Sequence, residues 1–214
     1  MTNTLYCFGE SGNAYKAALA LELADIPWQP RHVDFFKGET RTAEFRAINP
    51  MGEVPVLDAD GLILTQSGVI QDWVMETSGK LCGDNTRDTP RDVLRDVLRW
   101  TIFDNQKISG MAGPLRFMMN FIPEEKRNAD VIGFLAGRLR ASLAVLEGEL
   151  AQRDWLVGGA LSCADISCAG YLFYPEPFTF ERATYPAIDA WLTRISETPG
   201  WKHPYDLMQP AFAS

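Results

Sequence analysis

The stretch that decides the fold reads Asn49-Pro50-Met51-Gly52-Glu53-Val54-Pro55-Val56-Leu57-Asp58, and Gln66-Ser67-Gly68-Val69-Ile70 follows it closely. A proline has no backbone N–H and a fixed φ, so it is rare inside a central strand but tolerated as the first residue of a strand. Pro55 stands between two valines at the start of an apolar run, which predicts a strand beginning there. A cis Val54-Pro55 bond is one way to fit this position, and it would turn the N–H and C=O of Val54 towards a ligand. The alternative is an ordinary turn before an edge strand.

Length and composition limit the classes of protein to which this chain can belong. It has 214 residues, of which 46% are hydrophobic and 22% charged, so we expect a packed core in one large or two small domains. The formal net charge of −8 argues against nucleic acid or an anionic membrane surface as the main partner. No apolar run approaches the ~20 residues that a membrane-spanning helix needs, so we expect no membrane partner.

The cysteines and histidines form no recognisable metal or redox motif. The four cysteines include no C-x-x-C pair, and the two histidines, His32 and His203, are far apart in sequence. The N-terminus has neither the basic segment nor the apolar segment of a secretory signal peptide. We therefore predict a cytoplasmic protein that has reduced cysteines in or near its core and no bound metal.

Residues 1–79 predict an α/β domain. Asp60-Gly61 is a strong hairpin signal between two strands, and either Ser11 or Asn13 can cap the first helix with its side-chain oxygen. The predicted elements are a strand at 4–8, a helix from 14, a strand at 29–34, a helix at 42–48, strands at 55–58 and 62–65, and a helix at 67–78. This β-α-β-α-β-β-α order is typical of a thioredoxin-like domain, in which helices cover a four-stranded mixed sheet.

After a polar linker at 80–89, residues 90–214 predict an all-α domain. A third helix of this domain opens at Ser162 with S-x-x-D, a variant of the capping box, so we assign Asp165 a structural role. The predicted helices begin at 90 with a bend or break near 110–114, run over 124–151 with a stripe of leucines, run from 162 to 173, and surround 188–195.

Three motifs, in order and at matching separations, carry a resemblance to a known family. They are Ser-Gly-Asn-Ala-Tyr-Lys at 11–16, the proline stretch at 49–57, and Gly-x-x-Ser-x-Ala-Asp-Ile at 159–166. The chain resembles the cytosolic glutathione transferases of the serine type, in particular their theta-like bacterial members. The Ser-x-Asn spacing is also similar to the Thr-x-Asn pair of the nu-like bacterial members. This resemblance implies a homodimeric detoxification enzyme that activates glutathione as a thiolate and conjugates it to a hydrophobic electrophile.

The resemblance also implies a set of glutathione contacts. Ser11 matches the hydroxyl that hydrogen-bonds the glutathione sulfur, and Asn13 lies where some relatives place a second sulfur contact, so these two are the candidate catalytic residues. The backbone of Val54, next to Pro55, matches the group that pairs with the cysteinyl unit. The remaining candidates are Gln66 and Ser67 for the γ-glutamyl group, Thr40, Glu53 and either Lys37 or Arg41 near the glycine end, and Asp104 for the glutathione amine bound to a partner subunit.

Candidate electrophile contacts lie on the first long helix of the helical domain, namely Phe103, Lys107, Met111 and Phe117. Two glutathione contacts depart from the family pattern: relatives often carry a basic residue in place of Glu53 and a glutamate in place of Gln66. Glu53 is expected to weaken capture of the glycine carboxylate unless Lys37 or Arg41 supplies the positive charge.

Other interpretations of these residues stay open. The chain is alternatively a glutathione-dependent reductase of disulfides or peroxides, which without a C-x-x-C pair would use glutathione itself as the thiol. A third alternative is a non-catalytic member of the same fold that serves as an interaction or binding module. Ser11 is alternatively only a helix cap. The phenylalanines and Met111 are alternatively core residues, and Lys107 is alternatively a solvated surface residue.

Overall fold

The computed structural model describes residues 3–84 and 89–211, and the chain divides into two compact units. The α/β unit comprises Met1–Leu81 together with Pro199–Ser214, and the helical unit comprises Cys82–Thr198. The predicted linker at 80–89 falls partly on residues 85–88, which lie outside the described residues.

A four-stranded mixed sheet forms the centre of the α/β unit, and this confirms the predicted thioredoxin-like arrangement. Its strands are β1 (Asn3–Cys7), β2 (Trp28–His32), β3 (Val56–Ala59) and β4 (Leu62–Thr65), in the order β2-β1-β3-β4. Strand β1 pairs parallel to β2 and antiparallel to β3, which pairs antiparallel to β4. Pro30 lies within β2, where the missing N–H is tolerated because β2 is an edge strand.

Three helices of the α/β unit follow the predicted order: α1 (Gly12–Leu23), α2 (Ala43–Ile48) and α3 (Ser67–Ser78). Helix α1 is rich in alanine and leucine and is buried along most of its length. Val33, Phe45 and Val56 form a buried apolar cluster beside the sheet. Helix α3 is followed by the C-cap residue Gly79, whose φ of 67° is the left-handed conformation typical of a glycine at a helix end.

The helical unit consists of α4 (Arg91–Phe103), α5 (Ser109–Asn120), α6 (Ala129–Leu150), α7 (Cys163–Ala169) and α8 (Pro186–Ser196). Helix α6 begins later than the predicted residue 124 because the Asn128 side chain accepts hydrogen bonds from the N–H groups of Asp130 and Val131, which caps the helix there. The predicted leucine stripe of α6 is buried at residues 139, 143, 146 and 150.

The break in the first long helix lies earlier than the glycines and proline predicted. A π-helical segment, Asp104–Ile108, separates α4 from α5, and Pro114 is accommodated inside α5. A Cβ at Gly110, the second residue after this segment, would lie 2.6 Å from the carbonyl oxygen of Asn105, so this position requires glycine. The fully buried carboxylate of Asp104 accepts hydrogen bonds from Ser109 (2.6 Å) and Ser167 (2.8 Å), and it thereby ties the π-helical segment to α7.

Asp165 connects several parts of the helical unit. The predicted capping box with Ser162 is confirmed, because one carboxylate oxygen accepts from both the N–H and the hydroxyl of Ser162. The other oxygen accepts from the N–H of Leu156 at 2.9 Å and from the indole Nε1–H of Trp191 at 3.0 Å. Burial raises the pKa of Asp165, and the hydrogen bonds that it accepts oppose this rise.

Residues Pro199–Ser214, which we call the C-terminal segment, group with the α/β unit. The sequence-based boundary instead placed all residues up to 214 in the helical domain. The segment contains the short helix α9 (Pro204–Leu207) and belongs to the α/β unit. The Tyr15 hydroxyl donates to the carbonyl of Lys202 at 2.9 Å, and the N–H of Gly9 donates to the carbonyl of Gln209 at 2.8 Å. Both contacts join residues that are far apart in sequence, so the local residue pattern gave no signal for them.

No helix within residues 3–84 and 89–211 combines the length and the apolar character needed to cross a membrane.

Candidate functional site

The candidate glutathione contacts of the α/β unit converge on one edge of the sheet, which we call the site edge. The register pairs Cys7 with His32 at the ends of β1 and β2, while Val56 at the start of β3 lies opposite Tyr6 and Thr65. Since β3 runs antiparallel to the other three strands, its beginning meets their ends. The site edge therefore carries Ser11 and Asn13 after β1, Lys37 and Thr40 after β2, Glu53, Val54 and Pro55 before β3, and Gln66 and Ser67 after β4.

Ser11 caps helix α1 and keeps its hydroxyl proton available. Its backbone is extended, with φ −85° and ψ 104°, and its Oγ accepts a hydrogen bond from the N–H of Ala14 at 3.1 Å. That bond uses a lone pair of the oxygen, while the O–H proton can still be donated to a second group. The cap and the predicted sulfur contact are thus chemically compatible at the same atom.

Asn13 lies in the first turn of α1 and contacts a buried lysine. The Nζ of Lys16 donates to the Oδ1 of Asn13 at 2.9 Å, and the side chain of Lys16 is fully buried. Lysine has donors only, so this contact assigns the side-chain oxygen of Asn13 to the lysine and leaves its Nδ2 as the group directed elsewhere.

The loop before β3 is organised by Asn49, a residue to which sequence analysis gave no role. The buried Asn49 side chain donates to the carbonyl of Glu53 at 2.8 Å and accepts from the N–H of Met51 at 3.1 Å. Gly52 has φ +67°, and a Cβ there would lie 2.9 Å from the carbonyl oxygen of Thr40, so glycine is required. The close contact between the backbone of Gly52 and that of Thr40 holds the loop containing Thr40 against the loop before β3.

The Val54-Pro55 peptide bond is cis, as the sequence predicted. Pro55 is buried and Val54 is half-buried. Among residues 3–84 and 89–211, the backbone N–H and C=O of Val54 have no hydrogen-bond partner, so both groups remain available to an external peptide.

Gln66 has the most unusual backbone at the site edge. Its φ of 71° with ψ of 126° is a conformation that side-chain-bearing residues rarely adopt, and it immediately precedes α3. Its amide Nε2 donates to the carboxylate of Glu53 at 3.2 Å and lies 3.1 Å from the sulfur of Met51. The next residue, Ser67, is buried at the first turn of α3, where helix N–H groups favour an anion.

The remaining glutathione candidates differ in how they are placed. Lys37 is largely exposed and pairs with Asp34 at 3.1 Å, whereas the side chain of Thr40 is buried. Asp104 requires a correction: it was expected to reach the glutathione of a partner subunit, but it is fully buried and holds Ser109 and Ser167 within the helical unit.

The four candidate electrophile contacts lie in the helical unit, around the π-helical segment and along α5. Phe103 packs edge-on against Trp100, with ring centroids 5.4 Å apart, and is half-buried like Lys107 and Met111. Phe117 is more exposed, and its ring lies 6.2 Å from that of Phe121. None of the four is fully buried, so their side chains retain accessible surface for a ligand.

The thiols of the protein are placed where they cannot easily react. Cys7, Cys82, Cys163 and Cys168 are all buried, and none forms a disulfide. Burial raises the pKa of the Cys7 thiol to about 12. Within the described part of the chain, no group of three or more His, Cys, Asp and Glu side chains is arranged to hold a metal ion.

Comparison with protein families and solved structures places this geometry among known proteins. Residues 1–76 match the family model for the glutathione S-transferase N-terminal domain, and residues 115–199 match that for the C-terminal domain. A solved structure of a possible glutathione S-transferase from Rhodopseudomonas palustris has 32% sequence identity and a TM-score of 0.85, covering 94% of this chain and 97% of that one.

Two curated relatives show the range of activities among similar proteins. A glutathione S-transferase-like protein of Fusarium sp. is 30% identical over 207 residues, or 91% of this chain and 88% of the relative. The disulfide-bond oxidoreductase YfcG of Escherichia coli is 27% identical over 203 residues, or 90% of this chain and 89% of the relative.

Proposed function

This chain belongs to the glutathione S-transferase superfamily, and from that premise we propose that it binds glutathione at the site edge, activates it as a thiolate and conjugates it through its sulfur to a hydrophobic electrophile. One observation carries this proposal. The Oγ of Ser11 accepts the N–H of Ala14, so its proton is the part of the hydroxyl left to stabilise a sulfur anion. This is the arrangement expected of a serine-type enzyme.

The energy needed to form the thiolate is within reach of these groups. A free thiol like that of glutathione has a pKa of roughly 8.5, and lowering it by about two units requires ~2.7 kcal/mol. A hydrogen bond donated by Ser11 to the thiolate is worth ~1.5–3 kcal/mol. The N-terminus of α1 adds ~0.3–1 kcal/mol. Ser11 and the helix therefore account for the shift without a histidine.

The rest of glutathione is proposed to lie along the site edge. The unpartnered N–H and C=O of Val54 pair with the cysteinyl unit, as strands pair in a sheet. The γ-glutamyl carboxylate binds at Ser67 and the first N–H groups of α3, next to Gln66. The glycine end lies near Thr40, with Lys37 supplying the positive charge that Glu53 lacks. The carboxylate of Glu53 accepts a hydrogen bond from the neutral amide of Gln66, which stabilises its charge but does not remove it.

We also propose that four residues of the helical unit contact the electrophile, namely Phe103, Lys107, Met111 and Phe117. The proposed role is detoxification in the cytoplasm, and free cysteines fit a reducing compartment of this kind.

The active form is proposed to be a homodimer. Exposed apolar side chains, Met51 and Val69 on the α/β unit and Leu98 and Ile102 on the helical unit, are surfaces that a two-fold partner would cover. Sedimentation at micromolar concentration tests the dimer, and a particle of one 23.9 kDa chain would contradict it.

A second candidate function, thiol-dependent disulfide reduction, is suggested by the similarity to the disulfide-bond oxidoreductase YfcG, and the burial of all four protein thiols argues against a protein cysteine as its reactive group. A reductase of this kind would use the thiolate of bound glutathione rather than a protein cysteine. It would attack a disulfide sulfur to form a mixed disulfide with glutathione and release the other thiol, and a second glutathione would then release the first as glutathione disulfide.

The test compares binding, thiolate formation and two reactions. The purified protein is applied to immobilised glutathione, and the ultraviolet absorbance of the thiolate in the glutathione complex is titrated from pH 5 to 9. Turnover is then measured with a chlorinated aromatic electrophile and with a mixed disulfide. Retention and faster conjugation support the transferase, and faster disulfide reduction supports the second candidate. Retention without either reaction indicates a binding module, while failure to bind glutathione refutes the proposal.

A further inference from the structure

A fully buried lysine one helical turn from the proposed sulfur site has no role in the function described so far. Lysine is rarely found completely buried unless its ammonium is paired, because removing the charge from water is costly. Lys16 is 0% exposed, and one partner of its ammonium is the side-chain oxygen of Asn13, which lies 2.9 Å from Nζ. A leucine or alanine would fill such a position in an alanine-rich helix at lower cost.

The contact with Lys16 determines which face of the Asn13 amide is turned outward. A side-chain amide has one oxygen and one NH₂ group on opposite branches of the same carbon, and it can rotate to present either. A rotated amide would direct two N–H donors at the lysine, which has no lone pair to accept them. Since Lys16 retains Oδ1, the NH₂ group of Asn13 is fixed on the opposite branch.

We propose that Lys16 is a positioning residue that orients the Asn13 amide so that its Nδ2–H donates to the sulfur of bound glutathione, beside the hydroxyl of Ser11. This inference rests on the proposed function, because it requires glutathione at the site edge. In this proposal the two candidate sulfur donors are held in place by different contacts. The hydrogen bond from the N–H of Ala14 fixes the hydroxyl oxygen of Ser11, and the contact with Lys16 fixes the side-chain amide of Asn13.

Glu10 is the neighbouring ionisable group on this part of the chain. It is buried in the turn before α1, and both its carboxylate oxygens lie 3.0 Å from the backbone nitrogen of Ala211. Lys16 is proposed to act through its contact with Asn13, by which it sets the hydrogen-bonding direction of the amide.

The experiment replaces the lysine with Met, which has a similar length and no donor, and with Arg, which keeps a donor. For each variant the thiolate absorbance of the glutathione complex is titrated from pH 5 to 9. We expect Lys16→Met to raise the apparent pKa of bound glutathione by about one unit, lowering the thiolate fraction at pH 7 up to tenfold. Lys16→Arg should recover at least part of this shift, and glutathione affinity measured at pH 9 should change little.

A double-mutant cycle separates a positioning role from a general effect on folding. If Lys16 acts through the amide, Lys16→Met should raise the thiol pKa in the wild-type background but add nothing in an Asn13→Ala background. Equal shifts in both backgrounds, or no shift in the wild-type background, would overturn the inference.

Two further arms keep the result decisive. If Lys16→Met does not fold, Lys16→Gln is used, because its neutral amide can donate or accept and therefore no longer fixes the direction of the Asn13 amide. A thiol pKa that rises in Lys16→Gln but rises no further when Lys16→Gln is added to Asn13→Ala supports the inference, and an unchanged pKa in Lys16→Gln, or equal shifts in the two backgrounds, would overturn it. The wild-type titration separates the two levels of the argument. Without a glutathione-dependent thiolate signal in wild type, the proposed function itself fails, whereas a normal wild-type signal with an unaffected Lys16→Met variant refutes only the role of Lys16.

Discussion

Single atoms explain why the sequence left two interpretations of Ser11 open. A serine before a helix is typical both of an N-cap and of a sulfur donor, and the residue pattern does not distinguish them. In the structure the Oγ of Ser11 accepts from Ala14 while its proton remains available. The lone pair caps the helix and leaves the proton available, so the cap does not exclude the proposed contact of the same hydroxyl with sulfur.

Replacing Ser11 should separate these two functions. Ser11→Ala removes both, and we expect a loss of ~0.5–2 kcal/mol of stability together with a higher pKa of bound glutathione and turnover at neutral pH reduced by ~10–100-fold. Ser11→Thr keeps the hydroxyl and serves as the matched control, with both properties close to wild type. An unchanged thiol titration in Ser11→Ala, with the shift lost in Asn13→Ala, would instead make Asn13 the main sulfur contact.

The backbone of Gln66 supports a second prediction at this scale. Its φ of 71° and ψ of 126° strain a residue with a side chain by ~1–3 kcal/mol, and glycine relieves that strain. Gln66→Gly should therefore melt at a higher temperature than Gln66→Ala, although both lose the amide that contacts Glu53. We expect both variants to bind glutathione more weakly, by about the same factor, in calorimetric titration. Equal melting temperatures would show that the conformation of Gln66 carries no strain.

At the scale of elements, the sequence predicted those whose signals are local. Strands, capping boxes and the Asp60-Gly61 hairpin depend on a few neighbouring residues, and the structure contains them. The π-helical segment at 104–108 was missed because Asp104 is fixed there by Ser167, which is distant in sequence. The C-terminal segment groups with the α/β unit rather than with the helical domain because its contacts, such as that between Tyr15 and Lys202, join residues distant in sequence, which a local pattern does not reveal.

The C-terminal segment supplies a prediction in which two glycines behave oppositely. A Cβ at Gly9 would lie 2.9 Å from backbone atoms of Pro210, so Gly9→Ala should displace this segment from the turn that holds Ser11. Gly148 lies inside α6, and a Cβ added there would meet no other atom within 4 Å. Gly148→Ala should therefore stabilise the protein by ~0.5–1 kcal/mol. Thermal melting and glutathione affinity should both fall in Gly9→Ala. If Gly9→Ala matched wild type in both, the contact would have no importance for the site.

Asp165 gives a stability prediction for the helical unit. Asp165→Ala leaves buried donors from Ser162, Leu156 and Trp191 without an acceptor, and each such loss costs ~1–3 kcal/mol. We expect denaturant unfolding to show a loss of about 3 kcal/mol or more. Asp92→Ala is the matched control, because its exposed pairing with Arg95 should matter little. Normal stability in Asp165→Ala with lost turnover would instead make Asp165 part of the chemistry.

At the scale of the whole molecule, the order of strands, helices and loops along the chain was easier to predict from the sequence than which side chains are buried. The sequence indicated which residues follow each strand, and because strand ends meet at one edge of a sheet, the site could be assembled without coordinates. It did not indicate that Lys16 is buried or that Asn49 organises a loop, since a charged or polar residue on a predicted helix or turn is normally assigned to the surface. Asp104 was misjudged for the same reason, because burial depends on contacts between residues that are distant in the chain.

The burial of all four cysteines leads to a prediction about the protein as a whole. Burial raises the pKa of Cys7 to about 12, well above the usual value, so at pH 8 its reactive thiolate is a minute fraction even where a reagent reaches it. Native protein should therefore react slowly with an aromatic disulfide reagent at pH 8. Denatured protein should react at once at all four cysteines and release four equivalents of the reagent's thiol per chain. Because bound glutathione stabilises the folded state, saturating S-methylglutathione, which has no thiol to react, should slow native labelling of Cys7 further. A cysteine that labels rapidly in the native protein would show a reactive protein thiol and move the proposed chemistry from glutathione to that residue.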